Sequence, residues 1–436
     1  MIGGDGSSMV DGDTLLTRAA TVVDIPRSLT GDGVRQLLDV IGDWVPGLQQ
    51  VEVPTGTEVL DWTVPEEWNL RRATLTGPDG TVVADSARSP LEVVGYSVPV
   101  DTRLGLADLE DGHLHSLPDQ PDLVPWRTSY YRRTWGFCIP DRVRRDLPEG
   151  DYHARVDATL EPGHLTWGEL VVPGETTEEV LVTAHLCHPA MANDNASGLV
   201  VAAAVAEALA ARPTRRRTHR FLFAPGTIGA VAWLATRPDV VSRVVGGVVI
   251  SGVGDPGTSL TYKRSRRGSA PMDTAMRLAL RDAEVEHTLV DYAPWGYDER
   301  QFNSLGYDLG VGLLNRTPHG TYPEYHTSAD DLSFLRAAHL EESASLVLAG
   351  LDALEAHRPV RNLKPHGEPQ LGPRGLWPSI GGATGRRAQM ALLWVLAEAD
   401  GERTVLDVAD RAGLPVAEVM AAATQLAGTD LLEFGG

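Results

Sequence analysis

EEVLVTAHLCHPAMANDNASGLVVAAAVAEALAA, residues 178–211, is the most informative segment for predicting the fold. It begins with an apolar run of strand length that ends at His185, and it closes with an Ala-rich segment long enough for about four turns of helix. Between the two lies a short polar loop that contains His188 and Asp194. A buried strand followed by a helix is the repeating unit of mostly parallel sheets. The stretch therefore predicts an α/β protein in which a polar loop follows a strand end.

The same alternation continues along the chain. HRFLFAP (219–225) predicts a second strand, TIGAVAWLAT (227–236) a second helix and VVGGVVISGVG (244–254) a third strand. The pattern predicts a mostly parallel sheet with helices on both faces. In open sheets of this kind the site lies beyond the carboxyl ends of the strands. The polar or unusual residues found at those ends are His185, Pro225, Gly226 and Asp255.

The regions on either side have a different character. Apolar residues at helical spacing predict a helix within residues 30–45, and short Val- and Thr-rich segments separated by Gly-Pro-Asp-Gly turns predict antiparallel β structure over 51–100. Residues 361–385 are rich in Pro and Gly, which is typical of a linker. The last fifty residues follow the order helix, helix, turn, helix, strand, which is the pattern of a winged helix.

Composition and charge narrow the function classes. The chain has 436 residues, 42% of them hydrophobic, and a formal net charge of −21, so we expect a packed multidomain protein. Two cysteines, Cys138 and Cys187, cannot form a disulfide framework and fit a reducing compartment. The amino terminus lacks the features of a signal peptide, and the longest apolar run is too short for a membrane span. We expect a cytoplasmic protein with no membrane partner.

The winged helix raises the question of DNA binding. The negative net charge argues against nucleic acid as a partner. The candidate recognition helix, residues 415–427, contains no Lys or Arg and one acidic residue, Glu418. A helix that lies in the major groove needs basic or amide side chains. We therefore expect the winged helix to be an interaction or packing module, and we expect no nucleic-acid partner. For the protein as a whole we expect a small-molecule or peptide-like substrate, and a homo-oligomer is possible.

Ligand-type residues crowd the first loop. His185, Cys187, His188 and Asp194 lie between the strand and the helix, and imidazole and carboxylate groups are the ligands of catalytic zinc. The alternative interpretation is that the two histidines are ordinary loop residues and that Asp194 caps the helix.

Two further clusters lie downstream. TPHGTYPEYHTSADD (317–331) carries His319, Glu324, His326 and Asp330 in a loop, where so many ligand-type residues are hard to explain by packing alone. WGYDERQFNSLG (295–306) sets Asp298, Glu299 and Arg300 between aromatic residues. The alternative for the first cluster is surface charge with a hydrogen-bonded loop histidine, and the alternative for the second is a solvated turn.

Together these motifs resemble a known family. AHLCHPAMANDNASG followed by YDERQF and RTPHGTYPEYHTSADDL is similar to the aminopeptidase-like zinc hydrolases often found near bacterial polysaccharide and natural-product genes, within the clan of zinc aminopeptidases and glutaminyl cyclases. LDWTVPEEWNL, YSVPV, SYYRRTWGFC and GHLTWGELVVPG resemble the amino-terminal part of that family. The resemblance implies a flexible tail (1–13), a catalytic domain (14–50 and 150–360), an inserted β-rich domain (51–149), a linker (361–385) and a winged helix (386–436).

The resemblance also implies a zinc site with one ion, or two. Either His185 or His188 matches the first ligand; we favour His188, with His185 in the site or beside it. Asp194 matches the metal-bridging carboxylate and His326 the distal ligand, while Asp298 matches an acidic residue near the metal. Asp255 is a further ligand candidate of uncertain register. We expect Arg300, Tyr325 and Tyr131 to contact the substrate.

One departure from the family stands out. After the second strand the family commonly has Pro-Glu-Thr-Ile-Gly, whereas this chain has Gly226 in place of the Glu. The resemblance implies that the missing Glu would sit where these enzymes keep the general base, a role that contributes on the order of 10²–10⁴ in rate. Glu324, Asp298 and Glu299 are the carboxylates expected to replace it.

Three functional hypotheses follow. The leading one is a zinc-dependent hydrolase, similar to aminopeptidases and amidohydrolases, that cleaves an amide bond in a small amino-acid-derived substrate, in natural-product or polysaccharide biosynthesis. The second is a zinc-dependent cyclase or acyl transferase of the glutaminyl cyclase type, which the loss of the Glu favours. The third is a binding protein without catalytic activity.

Overall fold

The structure is a computed structural model that describes residues 10–376 and 383–435. Most of the predicted tail (1–9) and part of the predicted linker (377–382) lie outside the described residues. Among the helices that the structure describes, none has the length and apolar character needed to cross a membrane.

The α-helices contain most of the residues that pack against the main sheet. In chain order they are α1 (Gly12–Val23), α2 (Asp32–Trp44), α3 (Leu106–Glu110), α4 (Asp141–Arg145), α5 (Gly198–Ala210), α6 (Ile228–Thr236), α7 (Pro238–Val241), α8 (Pro271–Asp282), α9 (Glu299–Phe302), α10 (Ala337–Glu355), α11 (Ala383–Glu398), α12 (Val405–Ala412) and α13 (Val416–Ala427). A π-helical turn (Ala192–Ser197) precedes α5.

The strands form one large sheet and several small ones. In chain order they are β1 (Gln49–Pro54), β2 (Glu58–Val59), β3 (Trp62–Thr63), β4 (Glu67–Thr76), β5 (Val82–Asp85), β6 (Val100–Gly105), β7 (Leu114–His115), β8 (Phe137–Cys138), β9 (Asp151–Glu161), β10 (His164–Val172), β11 (Glu179–His185), β12 (Thr218–Ala224), β13 (Val244–Ile250), β14 (Leu260–Lys263), β15 (His287–Val290), β16 (Val311–Asn315), β17 (Pro359–Asn362), β18 (Asp400–Thr404) and β19 (Leu432–Phe434).

The large sheet has eight strands in the order β1-β10-β12-β11-β13-β16-β14-β15. Its centre, from β12 to β16, is parallel, and β1 and β10 extend one edge in antiparallel fashion. Helices cover both faces, so the predicted α/β class with a mostly parallel sheet is confirmed. The predicted strands and helices at 178–254 are β11, α5, β12, α6 and β13.

Period-two alternation divides the central strands between two cores. Val180, Val182 and Ala184 of β11 face the core formed with α1, α5, α8 and α10, while Leu181 faces the core formed with α6 and the inserted domain. Because side chains alternate across a strand, a strand buried on both faces is apolar throughout. This explains why the interior of β11 appears in the sequence as an apolar run broken only by Thr183.

The inserted β structure extends beyond the boundaries expected from the sequence. Its four-stranded antiparallel sheet has the order β5-β4-β9-β6, and β9 lies after residue 149. At the other end β1 pairs with β10 of the large sheet rather than with the insert. Sequence patterns identify strands, but the partner of each strand depends on contacts with distant residues.

The carboxyl-terminal module is a winged helix, as predicted, and its sheet has the order β18-β17-β19. Since β17 (Pro359–Asn362) pairs with both other strands, the module begins before the end of the predicted catalytic domain and overlaps the predicted linker. The module contacts α8: Arg277 pairs with Asp410 at 2.7 Å, and Asp282 accepts a hydrogen bond from the Val416 N–H at 2.8 Å. The amino terminus of the candidate recognition helix therefore packs against the main domain.

A buried ion-pair network joins the adjacent strands β10, β12 and β11, and its loss should be costly. Arg220 on β12 bonds Glu169 at 2.6 Å and Glu179 at 2.5 Å, and all three side chains are buried. Removing one partner of a buried pair costs about 3–5 kcal/mol. We expect Arg220→Ala to lower the free energy of unfolding by about that amount in urea denaturation. The control is Arg142→Ala, whose exposed pair with Asp122 is worth about 0–1 kcal/mol; equal losses in both variants would contradict the prediction.

Candidate metal centre

The ends of the central strands bring the predicted ligands together. His185 is the last residue of β11, His188 follows three residues later, and Asp194 lies in the π-helical turn before α5. His326 comes from the loop between β16 and α10. The side chains of His185, His188 and Asp194 are almost completely buried, with 1%, 3% and 1% exposure.

The Asp194 carboxylate lies at the centre of these imidazoles. Oδ1 is 2.9 Å from Nε2 of His185, and Oδ2 is 3.0 Å from Nε2 of His326 and 3.3 Å from Nδ1 of His188. His185, His188 and Asp194 each offer one ligand atom, and these atoms lie within 4.8 Å of one another. This compact group includes His185, whereas the set favoured from the sequence was His188, Asp194 and His326. His326 contacts the carboxylate oxygen that faces away from His185.

The residues of this group fit a cation. Oδ1 of Asp194 is buried and accepts no hydrogen bond from the described residues, although Nε2 of His185 is close. A buried anion needs compensation, which a cation held between Asp194 and the neighbouring imidazoles would supply. Burial opposes ionisation of Asp194, but the imidazoles of His188 and His185 hold its pKa well below the usual range. Two imidazole nitrogens and one carboxylate are a donor set that suits zinc.

Backbone hydrogen bonds fix the turn that carries Asp194. The carboxylate of Asp330 accepts the N–H of Asn193 at 2.5 Å and the N–H of Asp194 at 3.0 Å. The side-chain amide of Asn195 donates to the carbonyls of His185 and Ile250, at 3.2 and 3.1 Å, and so joins the ends of β11 and β13. Asp330, a ligand-type residue in the sequence, thus positions the turn.

The inserted domain supplies one wall of the centre. The N–H of Trp126 donates to the carbonyl of His326 at 2.8 Å, and Pro125 and Thr327 form a β-bridge. The Trp126 indole packs edge-on against His188 and His326, with ring centroids 4.4 and 4.5 Å apart. Sequence reasoning missed Trp126, because it lies in a loop-rich segment with no motif around it.

Gly226 leaves the space that Tyr297 fills. A Cβ atom at Gly226 would lie 2.0 Å from Cε1 of Tyr297. The Tyr297 ring packs on His185 at 3.8 Å, and its hydroxyl is 3.3 Å from Nε2 of His188 and 3.4 Å from Sγ of Cys187. A phenol therefore occupies the position where the resemblance implies a carboxylate base. Tyr297 belongs to the motif at 295–306, but no sequence pattern connects it with Gly226.

Glu299, a predicted catalytic residue, is engaged in holding Tyr297. Its carboxylate accepts the N–H of Tyr297 at 2.9 Å and forms a buried ion pair with Lys263. The Lys263 ammonium also donates to the carbonyl of Trp295 at 2.6 Å. These bonds fix the loop before α9 and hence the place of the Tyr297 ring.

The other two predicted catalytic carboxylates differ in their surroundings. Asp298 is 1% exposed, and its Oδ1 has no hydrogen-bond partner among the described residues. Burial, together with the nearby Cys187 and Glu299, raises the pKa of Asp298 well above the usual range. Glu324 is half-buried, and its backbone carbonyl accepts the N–H of Thr327 at 3.1 Å.

The predicted substrate residues separate into two groups. Tyr325 stacks on His326 with centroids 3.8 Å apart, and Arg300 donates to the carbonyl of Tyr297 at 3.1 Å, so both lie beside the centre. Tyr131 is 52% exposed and packs on Trp62 instead, because its segment lies on the surface of the inserted domain.

Asp255, the further ligand candidate, lies outside the group formed by His185, His188 and Asp194. Its carboxylate accepts hydrogen bonds from Thr317 Oγ1 at 2.6 Å and from Asn193 Nδ2 at 3.2 Å.

Comparisons with known proteins agree with this architecture. A relative from Clostridium acetobutylicum is 40% identical over 410 residues, covering 94% of this chain and 93% of the relative. This relative is provisionally described as a polysaccharide biosynthesis protein with an aminopeptidase-like domain. A crystal structure from the same organism, provisionally described as a peptidase, superposes with a TM-score of 0.90 at 38% identity, covering 97% of this chain and 96% of that one.

A zinc aminopeptidase from Bacillus subtilis superposes with a TM-score of 0.58 at 13% identity, over 79% of this chain and 95% of that one. The fold is therefore that of the zinc aminopeptidases, as the resemblance implied. The family model described as domain of unknown function DUF4910 matches residues 17–357, and a winged helix-turn-helix model matches 358–434. The chain belongs to the DUF4910 family.

The contact between Gly226 and Tyr297 generates a prediction. We expect Gly226→Ala to lower the free energy of unfolding by about 1–3 kcal/mol, because the new methyl group forces the Tyr297 ring to move. In a Tyr297→Ala background the same substitution should cost much less, which a double-mutant cycle in urea denaturation would measure. Gly42→Ala is the control: no atom lies within 4 Å of its added Cβ, and alanine favours the helix. Equal costs in both backgrounds would contradict the prediction.

Proposed function

We propose that the protein is a zinc-dependent hydrolase that cleaves an amide bond in a small amino-acid-derived substrate. The observation that carries this proposal is the buried group of His185, His188 and Asp194 at the strand ends of a zinc aminopeptidase fold. The description of the Clostridium relative supports a place in polysaccharide biosynthesis.

In this proposal His185, His188 and Asp194 hold the ion, and His326 borders it on the other carboxylate oxygen. Bound zinc supplies Lewis-acid polarisation of a carbonyl and lowers the pKa of water. Trp126 and Tyr325 flank the imidazoles and exclude bulk water from that side. The Tyr297 hydroxyl keeps its proton, because burial raises its pKa well above the usual range, so it can donate a hydrogen bond beside His188.

Asp298 is the carboxyl group best suited to move a proton. It is buried, its Oδ1 has no hydrogen-bond partner among the described residues, and it keeps its proton to higher pH than an ordinary Asp because its pKa is raised. A protonated carboxyl group can donate to the nitrogen that leaves when an amide bond breaks. Glu299 is less suited, since its ion pair with Lys263 occupies it.

Metal analysis of the purified protein tests the site. We expect stoichiometric zinc in the unchanged chain and a loss of zinc affinity of more than about 100-fold in Asp194→Asn and in His188→Ala, because each removes a ligand, and removal of an outer partner alone costs about 10–100-fold. The control is His153→Ala, whose partly exposed imidazole contacts Asp101 on the inserted domain. Zinc content that is equal in all variants would refute the site.

Turnover tests the role of Asp298. The assay is hydrolysis of a panel of aminoacyl p-nitroanilides and N-acyl amino acids by the zinc-loaded protein. We expect Asp298→Asn to lower kcat about 10²–10⁴-fold, as for loss of a general acid or base, with zinc content unchanged. Glu324→Gln is the matched control, with a much smaller effect on kcat. A larger loss in Glu324→Gln would assign the role to Glu324 instead.

A second candidate is a zinc-dependent cyclase or acyl transferase, which the phenol at the base position favours. Tyr297 lies where a carboxylate base is expected. Activation of water needs a general base on the protein, whereas a neutral amine of the substrate is already a nucleophile. Product mass distinguishes the two, because hydrolysis adds water whereas cyclisation expels ammonia or water. Absence of either product over the whole panel, with zinc bound, would favour the third hypothesis of a binding protein.

A further inference from the structure

A cavity of about 550 Å³ lies where the inserted domain meets the main domain. It is formed by parts of the chain that are far apart in sequence, and it borders the metal centre, since Pro189 directly follows His188. Its lining includes aromatic and cationic side chains, chiefly Arg27, Trp68, Trp126, Arg127 and Tyr130.

Arg27 is buried against this cavity, with 4% exposure. Its Nε donates to the carbonyl of Leu186 at 2.7 Å, and its Nη1 donates to the carbonyls of Val22 and Ile25 at 2.6 and 3.0 Å. A guanidinium group has five N–H donors. The two on Nη2 have no hydrogen-bond partner among the described residues, which leaves them available to a ligand.

Arg27 also differs from the other buried arginines of the described chain. Arg217, Arg220 and Arg316 each pair with a carboxylate: Glu178 at 3.0 Å, Glu169 at 2.6 Å and Glu342 at 2.5 Å, respectively. No carboxylate of the described residues lies within ion-pair distance of Arg27. Burial lowers the pKa of Arg27 only to about 10, so it remains charged at neutral pH. A buried charge without a partner is costly, and a bound anion would offset that cost.

We propose that this cavity binds a small ligand through an oxyanion, a carboxylate or a phosphate, which is held by the Arg27 guanidinium. Arg127 supplies a second cation: it lines the cavity, is exposed, and forms no ion pair with the described residues. The acidic residues of the lining, Asp32 and Glu161, are both exposed to solvent, and Asp32 is paired with Arg35. The buried end of the cavity is thus cationic.

The aromatic walls accommodate the rest of the ligand. Trp126 lines the cavity and also packs on His188 and His326, and the carbonyl that Arg27 Nε bonds belongs to the loop between His185 and His188. A ligand held by Arg27 therefore lies beside the metal centre, separated from it by the Trp126 indole. The proposal is independent of the proposed hydrolase, because none of the metal-binding side chains takes part in holding the anion.

Calorimetric titration of the zinc-loaded full chain with inorganic phosphate and with N-acetylglycine tests the proposal. We expect one anion per chain to bind. Binding of phosphate alone identifies a phosphate ligand, binding of N-acetylglycine alone identifies a carboxylate, and binding of both identifies a general oxyanion site. Absence of binding by either probe at millimolar concentration would overturn the proposal.

Variants locate the bound anion. Arg27→Gln and Arg127→Gln should each raise Kd about tenfold or more, the loss expected for a charge-assisted hydrogen bond. Arg133→Gln, which removes an exposed charge from the same inserted domain, should leave Kd unchanged. Asp194→Asn, which removes a proposed zinc ligand that does not line the cavity, should bind the anion as before, whereas an anion bound at the metal centre would be lost in that variant. Loss in Asp194→Asn with unchanged Kd in Arg127→Gln would overturn the proposal even if Arg27→Gln failed to fold.

Discussion

The structure of the site depends on one buried carboxylate, that of Asp194. An anion removed from water is unstable unless charge or hydrogen bonds compensate it, and here three imidazoles surround the carboxylate. The other constraints follow from this requirement. Asp330 and Asn195 fix the turn that presents the carboxylate, and the parallel strands place β11 so that His185 meets it.

The inserted domain is part of this arrangement rather than an addition to it. Trp126 holds the His326 backbone and packs on two imidazoles, so the distal side of the centre needs a residue from a different folding unit. The same domain closes the cavity over Arg27.

Gly226 stands where the resemblance implies a Glu, and the space beside it contains the Tyr297 ring. The ion pair of Glu299 with Lys263 keeps this ring in position. The space beside Gly226 is therefore filled by a side chain from a distant loop.

Much of the fold was predictable because its signals are local. The apolar run of β11, the Ala-rich helix α5 and the strands β12 and β13 follow from burial on both faces of a sheet, and the winged helix follows from its helix order. The positions of His185, His188 and Asp194 near one strand end were predictable for the same reason. The domain boundaries were not, since β1, β9 and β17 are ordinary strands whose partners lie far away in sequence.

The fold class, the family resemblance and the residue types gathered at the strand ends were predictable from the amino-acid sequence alone. Which of those residues meet depended on the packing of the whole chain. Packing joined His185 to the compact group, engaged Glu299 with Lys263, left Tyr131 at the surface and revealed Trp126, Tyr297 and Arg27, which has no carboxylate partner among the described residues. The reason is physical: strand and helix patterns arise from periodic burial within one segment, whereas contacts between side chains of distant loops depend on how those segments pack.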